Sequence, residues 1–426
     1  MNRLLGTALL GAATLLPVTA LAQAGDPALE AKVDALATEL NLLKESLHVP
    51  EDEARRSYFG MGPAASKVYE HDGLSLGGYG EFYFGHFLGD AEKGERGAHR
   101  GDIYRLITYL GYKFSDLVVF NAEVEFEHAT TGTNVENGES GEVAVEFLYL
   151  DLLLHQALNL RSGLMLMPMG IVNEMHEPIT YRGNLRPAVE QRVLPSTWRE
   201  AGVGLYGEPV EGLGYKLYLV SGLSAKGFGA RGVRGGRQGG NHFVWEDKGV
   251  VARVDYRSEM VDVGASVYYG GADQDPTESA EVSALIYEAH AIVRYANLEL
   301  RGLFAESRID GAEDVGAVQG SADPVAVPEA SRGWYAEVSY DLWPHVGQNE
   351  MFALRPFARF EQMNLNAEMP AGFEANDALD TTEIIGGLEF QPHPDVVFKL
   401  EYARLTTAED DADPRQEIRF GGGFIF

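Results

Sequence analysis

The chain has 426 residues, no cysteine, 50 glycines, and a formal charge of −30 from 34 basic and 64 acidic side chains. The absence of thiols excludes disulfide scaffolds, thiol catalysis and Cys-ligated metal centres, and the acidic balance excludes a nucleic-acid binder, which needs a basic face. Charged residues at 23% of the chain are too dense for a bundle of membrane helices but not for a transmembrane β-barrel, whose lumen and loops are polar.

Residues 1–24 read as a signal peptide. Arg3 supplies a positive n-region, Leu4–Leu16 an apolar core, and Ala20-Leu21-Ala22 or Ala22-Gln23-Ala24 a small-residue cleavage site. A membrane anchor needs about 20 unbroken apolar residues, more than this run offers, so an exported mature protein is expected. Leu29, Val33, Leu36, Leu40, Leu43 and Leu47 follow at spacings of 4, 3, 4, 3 and 4, an a/d seam. Two readings fit residues 25–48: a periplasmic coiled coil that helps assemble an oligomer, or one amphipathic helix docked on its own chain. Pro50 ends the helix, and residues 49–72, with Gly60, Gly62 and Pro63, read as an irregular linker.

From Leu74 onward the pattern changes to alternating segments bounded by Gly, Asp, Asn and Pro. Val118, Phe120, Ala122, Val124 and Phe126 lie on one face, and Asn121, Glu123, Glu125 and Glu127 on the other. Likewise Trp334, Ala336, Val338, Tyr340 and Leu342 oppose Glu337, Ser339 and Asp341. Sixteen strands are expected, at 74–88, 101–114, 117–128, 143–154, 157–168, 200–207, 214–223, 249–257, 260–270, 283–295, 297–307, 333–342, 353–364, 381–391, 395–406 and 416–426. Short and long connections alternate between them, as periplasmic turns and external loops do in outer-membrane barrels. In a bilayer every backbone group must be paired, so the strands must close on themselves. The fold class is therefore all-β, a 16-stranded antiparallel transmembrane barrel over 73–426, preceded by the short helix. The last strand places Phe420, Gly422, Phe424 and Phe426 on one face. A terminal aromatic there is the kind of signal that barrel-insertion machinery reads.

Several phrases resemble Gram-negative outer-membrane porins near the phosphate-selective porin O/P group. They are the run from Tyr58-Phe59-Gly60-Met61-Gly62-Pro63 to Val68-Tyr69, then Gly77-Gly78-Tyr79-Gly80-Glu81, Asn121 through His128, Pro168-Met169-Gly170 through Pro178, and Leu194-Pro195-Ser196-Thr197-Trp198-Arg199-Glu200-Ala201-Gly202. The resemblance covers the linker and the first half of the barrel. It implies a homotrimeric diffusion channel in the outer membrane, a periplasmic N-terminal helix, and a third loop, 169–199, folded into the lumen. The lysine cluster of the phosphate-selective members has no evident counterpart here.

The third loop is the expected constriction. Glu174, Glu177 and Glu190 face Arg182, Arg186 and Arg192 in number, His176, Tyr181 and Trp198 join them, and Pro168, Pro178, Pro187 and Pro195 stiffen the run. Opposed charges across a water-filled gap would sort permeating solutes; the same charges would equally serve as a salt-bridge network holding the loop to the wall. By alternation Arg105, Arg161, Arg294, Arg301, Arg355 and Arg359 point into the lumen, with Glu123, Glu125 and Glu127 as an acidic ladder that should bind a cation or face basic partners. Arg355 and Arg359 could form part of an anion track. Asp310–Asp314 and Glu409–Asp413 are acidic loops suited to lipopolysaccharide-bound cations or simply to solvent. Ala225–Gly240 holds Lys226, Arg231, Arg234 and Arg237 with no acid. The function expected is a porin for passive diffusion of small hydrophilic solutes or ions. The alternative is a non-conducting receptor, adhesin or structural barrel. The histidines are scattered, so no enzyme, cofactor or metal is expected.

Overall fold

The computed structural model describes residues 58–88, 99–275 and 281–426. The signal peptide, the heptad segment and the first part of the linker lie outside the described residues. Sixteen strands run β1 Gly73–Phe87, β2 His99–Lys113, β3 Val118–Glu127, β4 Val143–His155, β5 Leu158–Leu166, β6 Arg199–Val210, β7 Leu213–Ser221, β8 Lys248–Arg257, β9 Val261–Gly271, β10 Ser283–Tyr295, β11 Leu298–Asp310, β12 Ala330–Tyr340, β13 Ala353–Glu368, β14 Asp380–His393, β15 Val396–Thr407 and β16 Arg415–Ile425. Every end falls within four residues of the sequence expectation. Each strand pairs antiparallel with its sequence neighbours, and β1 pairs with β16 to close the barrel. Phe426 finishes the seam: its N donates to Gly78 O at 2.9 Å, and its O accepts from Gly78 N at 3.0 Å.

The strands form because their polarity alternates, but the polarity is inverted relative to a soluble sheet. In β8, Arg253 and Asp255 are 6% and 3% exposed, whereas Val250, Val254 and Tyr256 between and beside them are 45–55% exposed. The same inversion places Leu106, Leu110, Leu148, Leu150, Leu400 and Phe420 outside. An apolar belt of this extent has no place in water; it is the lipid-facing band of a membrane barrel.

One stretch departs from the sequence reading. Residues 58–72 are no slack linker. Ala65–Tyr69 is a 3₁₀ turn, and Met61, Ala64, Ala65 and Val68 are buried inside the barrel at its short-turn end. Tyr69 Oη donates to Asp151 Oδ2 at 2.7 Å, and Asn121 Nδ2 donates to Ala65 O at 3.0 Å. The wall makes room with glycine: a Cβ on Gly111 would sit 2.3 Å from Val68 Cγ2. The segment lacks any regular period, so pattern alone cannot place it.

The long-loop end is also filled. The loops after β7 and β11 turn inward over the third loop, and Val189, Val193 and Leu194 share one apolar cluster with Phe228, Val233, Val315 and Val327.

Candidate functional site

The third loop leaves β5 after Leu166 and rejoins the wall at Arg199. Two side chains clamp its base. Asn173 Nδ2 donates to Met167 O at 2.7 Å and Trp198 O at 2.9 Å, and Asn173 Oδ1 accepts from Trp198 N at 2.7 Å. Glu190, on the short helix Ala188–Arg192, accepts from Ile171 N at 2.9 Å, Val172 N at 2.6 Å and Tyr335 Oη at 2.7 Å. Gly170 permits this approach, with φ +74° and a would-be Cβ 2.6 Å from the Glu190 carboxylate. Burial raises the Glu190 pKa above the usual carboxylate range, with the Tyr335 hydroxyl and Val172 amide opposing that shift.

The far side of the loop is tied across the lumen. Arg182 donates to Glu389 at 2.8 Å and Glu299 at 3.1 Å. Wall cations in turn hold loop carbonyls: Arg301 binds Thr180 O at 2.9 Å, Lys399 binds Tyr181 O and Gly183 O at 2.9 and 2.7 Å, and Arg359 binds Arg182 O and Leu185 O at 3.1 and 3.2 Å. Wall carboxylates hold loop amides, Glu401 at Asn184 N (2.9 Å) and Glu361 at Ala188 N (2.7 Å). The loop thus crosses the barrel as a strap fixed on β11, β13, β14 and β15.

With this geometry the chain can be set beside known proteins. It shares its fold with an anion-selective porin from Comamonas acidovorans (TM-score 0.53, 10% identity, 83% of this chain and 99% of that one). It shares it also with Salmonella typhi OmpF in complex with daunomycin (TM-score 0.52, 16% identity, 83% and 97%) and with the outer membrane channel DcaP of Acinetobacter baumannii (TM-score 0.51, 11% identity, 83% and 97%). No family model matches the sequence. An uncharacterized protein of Aquifex aeolicus (strain VF5) is 33% identical over 372 residues, 85% of this chain and 82% of that protein. The chain belongs to the same family as that Aquifex protein. Its barrel has the fold of outer-membrane porins.

Within this family member the loop charges do not oppose one another as their numbers suggest. Glu174 takes Lys216 Nζ at 2.6 Å. Glu177 accepts from Ala64 N at 2.9 Å and Ala65 N at 3.0 Å, so it seats the N-terminal segment. Arg186 donates to Thr197 Oγ1 at 2.9 Å and Tyr79 Oη at 3.3 Å, and Arg192 is exposed. A buried charge must be matched at once by its nearest complement, and for Glu174 and Glu177 that complement lies on the wall or the N-terminal segment, not on a loop arginine. Arg355 and Arg359 form no track either: Arg355 turns to Gln391 and Asp341, and Arg359 to the loop carbonyls, Glu337 and Glu361.

Arg105 bridges Glu81, Glu125 and Glu127 at 2.8, 2.8 and 3.1 Å, and Arg161 pairs with Asp151 at 2.8 Å. Arg294 pairs with Glu299 at 3.0 Å. Glu123 meets His176 at 3.2 Å. Burial, with Arg186 adding to it, depresses the His176 pKa to about 4.

Sequence reasoning missed how the arginine-rich loop after β7 acts. Arg234 donates to Gln191 O and Ser196 O, and Arg237 to Pro195 O at 3.0 Å and Thr197 O at 2.6 Å. A run of arginines without acids was visible; the third-loop carbonyls that receive them were not.

Cavities lie on both sides of the strap. One of about 220 Å³ faces the short-turn end and is walled by Glu174, Arg182, Arg253 and Arg301 among others. One of about 190 Å³ lies in the long-loop half beside Arg186, Arg192, Arg359 and Glu361. A vestibule of about 850 Å³ adjoins it at Arg100 and Arg186 and reaches Glu125, Glu127 and Glu146.

Proposed function

We propose that the protein is a porin for passive diffusion of small hydrophilic solutes across the outer membrane, with anions favoured over cations at the strap. The observation that carries this reading is the charge of the two cavities the third loop divides. The one in the long-loop half is lined by Arg100, Arg186, Arg192, Arg359, Arg415 and Arg419 against Glu361, Glu383 and Glu417. The one at the short-turn end has Arg182, Arg253, Arg257, Arg294 and Arg301 against Glu174, Asp262 and Glu299. Both have an excess of positive charge in a chain whose total is −30, and charge lining a narrow passage sets ion preference. No lysine lines either cavity among the described residues, so the lysine-based recognition of phosphate-selective porins has no support here. A homotrimer among lipopolysaccharide is the assembly this reading carries with it.

A second reading, a non-conducting barrel, draws on the inward-packed loops and the lodged N-terminal segment. Planar-bilayer recording decides between them. The porin reading expects discrete conductance steps, a reversal potential of anionic sign under a salt gradient, and a shift toward cations when Arg186 and Arg192 are replaced by Gln. Folded protein without steps would end the porin reading. A cationic reversal potential in the native protein would end the anion preference.

A further inference from the structure

We propose that Glu123 of β3, Glu146 of β4 and His176 of the third loop form a binding site for one dication of the zinc class, which staples the loop to the barrel wall. His176 Nε2 stands 3.2 Å from Glu123 Oε1 and 3.4 Å from Glu146 Oε2. One ligand atom from each residue lies within 4.8 Å of the other two. Bonds of about 2.0–2.1 Å at tetrahedral angles place neighbouring ligands about 3.3 Å apart, which is the spacing of His176 Nε2 from each carboxylate. The other ring nitrogen, Nδ1, lies 2.9 Å from Asn173 O. That contact orients the ring with Nε2 toward the carboxylates, as metal-bound imidazoles are oriented.

Two independent features say that something belongs there. Glu123, Glu146 and His176 are 0%, 2% and 2% exposed, yet Glu123 Oε2 and Glu146 Oε2 accept no hydrogen bond. Buried acceptors of this kind are costly and rare. The second feature is a β-bulge. Glu123 pairs with Phe147 and Val124 with Val145, so Glu146 is the extra residue on β4. Glu146 and Phe147 are consequently both turned inward, against the alternation of the strand. Bulges re-aim single side chains in this way, and here the side chain aimed is the third ligand.

The local charge agrees. Glu81, Glu123, Glu125, Glu127 and Glu146 are met by Arg105, Arg186, Arg199 and Arg237, five carboxylates against four guanidiniums, an excess of one negative charge. Imidazole with few oxygens in a tight site suits zinc rather than calcium or magnesium, which take more oxygens or keep their waters. Glu146 also lines the vestibule, which gives the ion a way in and a water for the fourth position. The cluster of Asp255, Asp262 and His290 differs, because Arg253 Nε donates to both oxygens of Asp255.

The test reads metal, not conduction, so it stands apart from the porin reading. Detergent-folded barrel is stripped with EDTA, loaded with Zn²⁺ or Co²⁺ at neutral pH and desalted. The expected result is one zinc retained per chain, intense visible absorption of tetrahedral cobalt that zinc abolishes, and at least a tenfold loss of retained metal in Glu146→Gln and His176→Gln. Heat-modifiable gel mobility checks that the variants are folded. If a variant fails to fold, the cobalt spectrum of the native barrel decides alone. Native protein without cobalt bands, or zinc retained equally by native and variant barrels, overturns the site.

Discussion

Glu190 shows how much a single loop carboxylate holds. Its three donors, the Ile171 and Val172 amides and the Tyr335 hydroxyl, have been withdrawn from water. Glu190→Ala orphans them, at about 1–3 kcal/mol for each group left buried and unpaired. The expected outcome is a rise of tenfold or more in hydrogen exchange at Val172, while exchange on the strands stays unchanged; equal protection in variant and native barrel would show that Glu190 anchors nothing. Its pH dependence has a definite sign. Burial raises the folded pKa, so between the ordinary carboxylate value and the raised one the docked loop holds a proton that the released loop does not. Docking is then strongest below the ordinary value and weakens as pH rises through the raised one. After correction for intrinsic rates, Val172 protection should fall across that window, and stay flat in Glu190→Gln. The sequence displayed Glu190 and Arg182 as charges in a proline-rich loop. It did not display their partners, because Arg182 meets Glu389 207 positions away and no local pattern encodes such a pair.

At the scale of elements, period-two alternation made every strand legible. Whatever sits inside the barrel was less so. The segment Tyr58–Tyr69 has small apolar residues without a repeat, and its docking depends on Glu177, more than 100 positions away. A Cβ on Gly62 would lie 2.3 Å from Glu177 Oε1. Gly62→Ala should therefore loosen the segment and speed chymotryptic cleavage around Tyr58 and Tyr69 at least tenfold, with gel mobility of the barrel preserved. An unchanged cleavage rate would mean that the Glu177 contact does not secure it. The bulge at Glu146 was equally silent in sequence: β4 alternates regularly on either side of it, and only the pairing with β3 reveals the additional residue.

For the whole molecule, the inversion of polarity, apolar outside and charged inside, is what makes a barrel of this sequence. Closure depends on the seam. Phe426 contributes two backbone hydrogen bonds with Gly78 and packs its ring near Phe424 at 6.4 Å between centroids. Deleting Phe426 removes both bonds, about 2 kcal/mol in all, and should lower the unfolding temperature of the detergent-folded barrel by several degrees. No change would place the strength of the seam elsewhere in β16. Net charge, by contrast, describes the molecule poorly: a total of −30 coexists with arginine-rich cavities on both sides of the strap.

The lodged segment bears on how such a ring is made. Tyr58–Tyr69 contacts side chains of β3 and β4, Asn121, Tyr149 and Asp151, and leads directly into β1, the strand that waits for β16. These partners, with Arg161 of β5, Glu177 of the third loop and Tyr206 of β6, lie in the first half of the chain, so the segment can find its seat while the sheet is still an open ribbon. The final strand then seals the wall around it. Order along the chain becomes order of enclosure: the stretch that precedes the first strand is shut in by the last.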